Sequence, residues 1–315
     1  MIETRQTAEG VAAIFVTMNR CETAATCLAR LAAQTLRPGR IIVVDNASTD
    51  GTPALLKEAC DGGSGRIVAM RQDRNLGNAG GMKIAMEAAF SAGFEAVWIL
   101  DDDSWPEPEA LARLMAPDLP RDAVRSCRVV DPATGALSWP LQVPDGSSWR
   151  LLGPESVLPA GGVVRIRRSW LGALVPRRIY ETVGPVEERL FLRGEDEDYP
   201  RRIERAGFPV FMIADSLLHH PPSGRLNHWE FAGRMVVLES GLSGDKLYYR
   251  LRNAWWMVRR DRGVCEAAVV ALLHGIALWR WEHPVSKWLP VWWESARDAF
   301  RDRLGPRNPP HSGSE

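Results

Sequence analysis

"RIIVVDNASTDGTPALLKEAC", Arg40 to Cys60, decides the fold. Ile41 to Val44 form a short β-branched run that stops at Asp45, as a buried strand does. "STDG" carries turn chemistry, and "TPALLKEAC" has the period of a helix. The same unit repeats on both sides. "VAAIFVTM" from Val11 reads as a strand and "CETAATCLARLAAQ" as a helix; "RIVAMRQ" from Arg66 is a strand and "GGMKIAMEAAFSAG" a helix closed by Gly93. "EAVWIL" is a fourth strand, and it runs straight into Asp101, Asp102 and Asp103. Strands alternating with helices predict an α/β fold with a largely parallel sheet. Such sheets bind ligands at the carboxyl ends of their strands. Thr17, Asn19, Asp45, Asn46, Asn75 and the Asp triplet all fall at predicted strand ends.

The pattern weakens from about 105 to 160, where a helix over "EALARLMAP" and otherwise short strands and loops are expected. Order resumes with "SWLGALVPRRIYETVG", a short helix over "YPRRIERAG" and a strand over "FPVFMIADSLLHH". Past about residue 240 come helical stretches dense in Trp and Arg. The tail "GPRNPPHSGSE" has the composition of disorder.

The chain of 315 residues is 45% hydrophobic and 25% charged, an ordinary globular composition. Its formal net charge is zero, so no global field attracts nucleic acid. The five cysteines are scattered, without CxxC or zinc spacing, and read as free thiols in a reducing compartment. "MIETRQTAEG" has no apolar signal core. "AAVVALLHGIALW", Ala267 to Trp279, is shorter than a spanning helix and contains His274. A cytoplasmic protein, soluble or bound to a membrane surface, is expected.

Four clusters carry chemistry. Asp101 and Asp103 are i and i+2, so an extended backbone puts both on one face, where a hard divalent ion can offset their repulsion. "RNLGNAGGMKIAM" is a Gly-rich helix entry that suits phosphate. It is neither GxGxxG nor a P-loop. "GEDEDYPRR" concentrates Glu195, Asp196, Glu197 and Asp198 before a helix, either as dipole partners or as a general base. His219 and His220 end an apolar strand, where an imidazole can ligate a metal.

In this order the pieces resemble glycosyltransferase family 2, inverting enzymes of GT-A fold. "VVDNASTDGT" is the most specific match, supported by "VTMNR", "NLGNAGGMKIAM", "LDDDSWPEPEAL", "SWLGALVPRRIYETVGPVEERLFLRGEDEDYPRR" and "LLHHP". The triple Asp and "YYRLRN" resemble galactofuranosyl- and rhamnosyltransferases of bacterial surface glycans. The resemblance spans about residues 11 to 260. It implies a GT-A domain over 1–240, a C-terminal Trp/Arg-rich helical region over 241–304 and a tail over 305–315.

The resemblance also implies roles. Thr17 and Arg20 border the nucleotide, and Asp45 contacts its base. Asn75 and the turn with Gly77, Gly80 and Gly81 lie near the ribose and diphosphate. Asn46 and Asp102 join the donor-binding group. Asp101 and Asp103 engage Mg²⁺ or Mn²⁺, with His219 completing the site and His220 its rival. Asp196 is the base, with Glu195 and Asp198 as rivals, because Gly194 stands where relatives often carry an aromatic residue. The donor is a UDP- or dTDP-linked sugar and the acceptor a glycan or polyprenyl-linked glycan. Two other classes stay open. One is a non-catalytic sugar-nucleotide binder of transferase descent. The other is a nucleotidyltransferase, although "TMNRCETAATC" lacks the Gly-rich basic loop such an enzyme needs. The Trp-rich C-terminus reads either as a subdomain packing on the core or a second subunit, or as a surface lying on the membrane.

Overall fold

The computed structural model describes residues 6–62, 65–156, 161–222, 224, 226–231, 234–242 and 244–307. The tail from 308 onward and the first five residues lie outside them. The elements alternate from the start: β1 (Gln6–Thr17), α1 (Cys21–Ala32), β2 (Leu36–Asp45), α2 (Thr52–Asp61), β3 (Ile67–Arg71), α3 (Gly77–Ser91) and β4 (Ala96–Ile99). The middle of the chain holds β5 (Trp105–Pro106), α4 (Ala110–Met115), β6 (Val124–Val130), β7 (Leu141–Asp145), β8 (Ser148–Leu152) and β9 (Val163–Ile166). Then come β10 (Ala173–Pro176), α5 (Arg177–Val183), α6 (Glu195–Arg205) and β11 (Val210–His219). The C-terminal part consists of β12 (Leu226–Phe231), β13 (Arg234–Glu239), α7 (Gly244–Arg262), α8 (Val264–Trp281) and α9 (Val285–Phe300).

Two compact units result. Of the described residues, the first comprises those from 6 to 76, 80 to 186 and 199 to 222, and the second those from 77 to 79, 187 to 198 and 224 to 307.

The first unit is built on a nine-stranded sheet of order β3-β2-β1-β4-β10-β6-β11-β5, with β9 also on β11. β1, β2, β3 and β4 run parallel, and β6 and β11 are parallel to each other. β10 is antiparallel to both β4 and β6, so six strands share one direction. Their carboxyl ends therefore lie on one edge. Ala12 to Phe15 and Val43 to Val44 are fully buried, as strands covered on both faces must be. α1 buries Ala24, Cys27, Leu28 and Leu31, a helical stripe. α3 packs tightly on β1: a Cβ at Gly81 would sit 2.7 Å from Val16 Cγ1, which only glycine avoids.

In the second unit α7 buries Tyr248, Leu251, Trp255 and Met257. α8 is longer than its apolar stretch suggested; its 18 residues are enough, by length and composition alone, to cross a membrane. Leu272 and Trp279 on α8 and Trp293 on α9 are exposed, the two tryptophans by 63% and 69%.

His274 of α8 sits among these helices as a neutral imidazole. Trp255 Nε1–H donates to its Nδ1 at 3.0 Å. Burial pushes its pKa down to about 4, and the Arg250 charge adds to the effect. The unfolded imidazole titrates near 6.5, so between about pH 6.5 and 4 the unfolded chain binds the extra proton. Stability is therefore complete above that window and falls as the pH drops through it, by up to ~3 kcal/mol. Urea midpoints at pH 7.5 and 5 are expected to differ less in His274→Gln than in the wild type. Equal differences would remove His274 from the account.

Candidate active site

β4 ends at Ile99, and the Asp triplet forms the turn that follows. The turn is closed by Ser104, whose Oγ accepts the Asp101 N–H at 3.1 Å and donates to the Asp101 carbonyl at 2.7 Å. The middle carboxylate points inward. Asp102 is 6% exposed, accepts the Thr17 hydroxyl at 2.8 Å and pairs with Arg20 at 3.0 Å. Burial pushes its pKa up, against the pull of Arg20 and Thr17. Asp101 and Asp103 come together with His220, brought there by the turn rather than by the extended backbone expected from their i and i+2 spacing. Ligand atoms of Asp101, Asp103 and His220 all lie within 4.8 Å of one another. His220 Nε2 is 3.2 Å from Asp103 Oδ1, and Arg20 Nη1 is 2.8 Å from Asp103 Oδ2. Burial alone would raise Asp103; the His220 and Arg20 contacts outweigh it and hold the carboxyl down to about 2. Two carboxylates and one imidazole suit Mg²⁺ or Mn²⁺, whose remaining positions commonly go to water and phosphate oxygens.

Consecutive residues of a strand face opposite sides, so only one of the two histidines can meet the triplet. That one is His220. His219 Nε2 lies 3.0 Å from Glu107 Oε1 instead. The edge of Trp139 approaches the His220 ring with centroids 5.4 Å apart, and Ser138 Oγ donates to the His220 carbonyl at 2.7 Å. The sequence reading did not select Trp139.

At the end of β2 the Asp45 carboxylate is buried; it accepts the Ser48 N–H at 2.9 Å and pairs with Arg71 at 2.6 Å. Arg71 was not singled out from sequence; the β2–β3 register that brings it opposite Asp45 is the signal that could have found it. Asn46 braces the loop before α3. Its Nδ2 donates to Asn75 Oδ1 at 2.9 Å, and its Oδ1 accepts the Leu76 N–H at 2.8 Å. The glycines of the Gly-rich turn serve close packing. A Cβ at Gly80 would lie 2.8 Å from Leu76 Cβ. Gly77 has φ +72, and a Cβ there would lie 2.0 Å from the Phe191 carbonyl oxygen.

The acid cluster belongs to the second unit and forms the first turn of α6. Glu195 is 3% exposed and accepts from Asn78 Nδ2 at 2.8 Å. Asp198 is fully buried and pairs with Arg260 at 2.6 Å. Glu197 pairs with Arg250. Asp196 is the exposed member, and its Oδ1 accepts the Gly194 N–H at 3.0 Å. Surrounding protein atoms and the Glu197 charge raise its pKa, while Arg250, the Gly194 N–H and Arg193 oppose the rise.

Residues 12–156 match the glycosyl transferase family 2 model. Galactofuranosyltransferase GlfT1 of Mycobacterium tuberculosis is 32% identical over 220 residues, covering 68% of this chain and 70% of that protein. The chain belongs to glycosyltransferase family 2. The N-acetylglucosaminyl-diphospho-decaprenol L-rhamnosyltransferase of the same species is 26% identical over 221 residues, covering 61% of this chain and 70% of the relative. A crystal structure of GalNAc-T7 with UDP, GalNAc and Mn²⁺ superposes with a TM-score of 0.55 at 17% identity, over 80% of this chain and 50% of that one. That likeness is one of fold, GT-A-like. The family 2 chain is a glycosyltransferase, and its Asp triplet fits a DxD-type motif.

Proposed function

We propose that this glycosyltransferase is metal-dependent and inverting, and that it moves galactofuranose or rhamnose from a UDP- or dTDP-linked donor to a glycan or lipid-linked glycan. The observation that carries the reading is the convergence of Asp101, Asp103 and His220 at the carboxyl edge of the sheet. A Mn²⁺ or Mg²⁺ held there would neutralise charge on the departing nucleoside diphosphate. The GalNAc-T7 structure with Mn²⁺ supports a divalent ion, and the two mycobacterial relatives support the sugars.

The chain's own residues have distinct tasks in this reading. Thr17 and Arg20 fix Asp102, which sets the turn so that its neighbours face outward. Asp45 and Arg71 bind the nucleoside, with Asn46 and Asn75 shaping the loop beside it. The acceptor oxygen forms a bond to the anomeric carbon as the bond to the diphosphate breaks, and the configuration inverts. Asp196 takes the hydroxyl proton. Its raised pKa brings it nearer the operating pH, which favours a base. Glu195 and Asp198 are buried on Asn78 and Arg260, which suits holding the helix start rather than exchanging protons.

Thermal melts with Mn²⁺ and UDP-galactofuranose, dTDP-rhamnose or GDP-mannose test the donor. A ligand at a hundred times its Kd stabilises by about 2.7 kcal/mol. A Mn²⁺-dependent rise of several degrees with the UDP or dTDP sugar is expected. A rise with GDP-mannose alone, or with none, would overturn the donor assignment.

Leu272, Trp279 and Trp293 favour a second element of the reading, contact with the inner face of the cell membrane. Leu272 and Trp279 line an apolar groove of about 230 Å³ with Trp288 and Trp292, and Trp293 is exposed on the same helix pair. Tryptophan prefers the headgroup level of a bilayer. The wild type is expected to float with anionic phospholipid vesicles, and Trp279→Glu/Trp293→Glu to stay behind. Equal behaviour of the two would remove the membrane contact.

A further inference from the structure

The backbone before the acid cluster is strained. Phe191, Arg193 and Gly194 have φ of 65, 59 and 123. Left-handed conformations at non-glycine residues cost free energy and persist only where the surroundings impose them. The Phe191 carbonyl accepts the Ala79 N–H and Arg193 pairs with Glu239, and two side chains of "YYRLRN" on α7 hold the segment from beneath its carbonyls. Asn253 Nδ2 lies within hydrogen-bond reach of three carbonyls, those of Leu190 and Leu192 at 3.0 Å and that of Arg193, which share its two hydrogens. Arg252 Nη2 donates to the Leu190 carbonyl at 2.9 Å, and Arg252 Nε to Asn253 Oδ1 at 2.9 Å. The second bond fixes the amide with its NH₂ toward the loop. Arg252 and Asn253 are each 1% exposed.

The clamp reaches the acids through one residue. A Cβ at Gly194 would lie 3.1 Å from Asn253 Cβ, so the glycine backbone rests against the clamp. From there the Gly194 N–H binds the Asp196 carboxylate at 3.0 Å, and the Gly194 carbonyl accepts the Asp198 N–H at 2.7 Å. A larger side chain at 194 would have neither the φ nor the room. The clamp and the glycine are thus two parts of one local solution.

We infer that Asn253 and Arg252 are positioning residues: they hold the Leu190–Gly194 backbone in the conformation that presents Asp196 outward. They touch no reacting atom. The inference rests on the reading of Asp196 as the base.

Two readouts separate the clamp from the base. Hydrogen exchange on the full chain, without ligand, reads the clamp in Asn253→Ala and in the milder Arg252→Lys. Faster exchange concentrated over 190–198 is expected in both. Unchanged exchange there would overturn the inference. Should Asn253→Ala not fold, Arg252→Lys carries the same comparison. Turnover of UDP-galactofuranose with Mn²⁺ and a polyprenyl-diphosphate-linked glycan reads the consequence. A shift of about 1 Å in a catalytic group can cost ~100-fold, so kcat is expected to fall by that order with donor KM within about twofold. Adding Asn253→Ala to Asp196→Asn is expected to cost nothing more. An additional loss of the full single-variant size would show that Asn253 acts elsewhere and overturn the inference. A fully active Asp196→Asn would overturn the base reading, while the exchange result would still decide the clamp.

Discussion

Asp101→Ala/Asp103→Ala is expected to abolish the Mn²⁺-dependent thermal shift and to lower kcat/KM by about a thousandfold or more. A thousandfold is ~4 kcal/mol of transition-state stabilisation, the scale on which charge on a departing diphosphate depends. The two carboxylates supply most of the negative charge in the site. His220 alone is a poor partner for a hard cation. Asp103 is held at about 2 by His220 and Arg20 against its burial, so it is ionised throughout any assay range. The double variant also gives up the Asp103 contacts with Arg20 and His220, so some folding stability goes with the site. Asp102→Ala leaves both of these carboxylates and His220 in place. It strands the Thr17 hydroxyl and removes a partner of Arg20, and it is expected to destabilise by about 1–3 kcal/mol. The Mn²⁺-dependent part of the thermal shift, rather than the melt itself, separates a metal platform from a structural turn. A double variant that kept its Mn²⁺-dependent shift would end the assignment. The histidines divide in the same way: His220→Ala is expected to weaken Mn²⁺ binding at least tenfold, and His219→Ala to leave it unchanged.

The parallel part of this architecture is legible because β1, β2 and β4 are buried on both faces and carry uninterrupted apolar runs. β10 is different. Four residues, Ala173–Pro176, carry too little pattern to reveal a strand, and its antiparallel place between β4 and β6 depends on partners far along the chain. The β12–β13 hairpin also lacked a clear signal. In the site, the Asp triplet announced itself through local cost, three like charges at a strand end. Arg71 did not, because an arginine closing a strand looks solvated until the register sets it against Asp45. The choice between His219 and His220 was one of parity, which a doubled residue cannot settle by itself. Gly194 is the most instructive position. In the sequence it is only a glycine ahead of four acids. With its φ and the Asn253 contact in view it is a requirement of this chain's own loop.

Asp196→Asn is the sharper test of the chemistry. The substitution keeps the shape and the acceptor oxygen for the Gly194 N–H, and removes only basicity. kcat is expected to fall about a thousandfold or more while Mn²⁺-dependent donor binding stays near the wild-type value. General-base catalysis supplies ~10²–10⁴-fold. The pH profile gives an independent check. A base works deprotonated, so activity must fall as the pH drops through its pKa. Surrounding protein and the Glu197 charge raise that pKa from the ordinary aspartate value, so the acid limb of kcat/KM is expected above the pH of an ordinary aspartate. Arg250 opposes the rise, and Arg250→Met removes that opposition, with its charge no longer balancing Glu197 and Asp196. The acid limb should then move further up, with activity at high pH less affected than activity near neutrality. Glu195→Gln and Asp198→Asn are expected to lower the melting temperature and to leave the limb in place, because their partners are Asn78 and Arg260. A limb that moved with Glu195→Gln and stayed fixed with Arg250→Met would transfer the base role from Asp196 to Glu195.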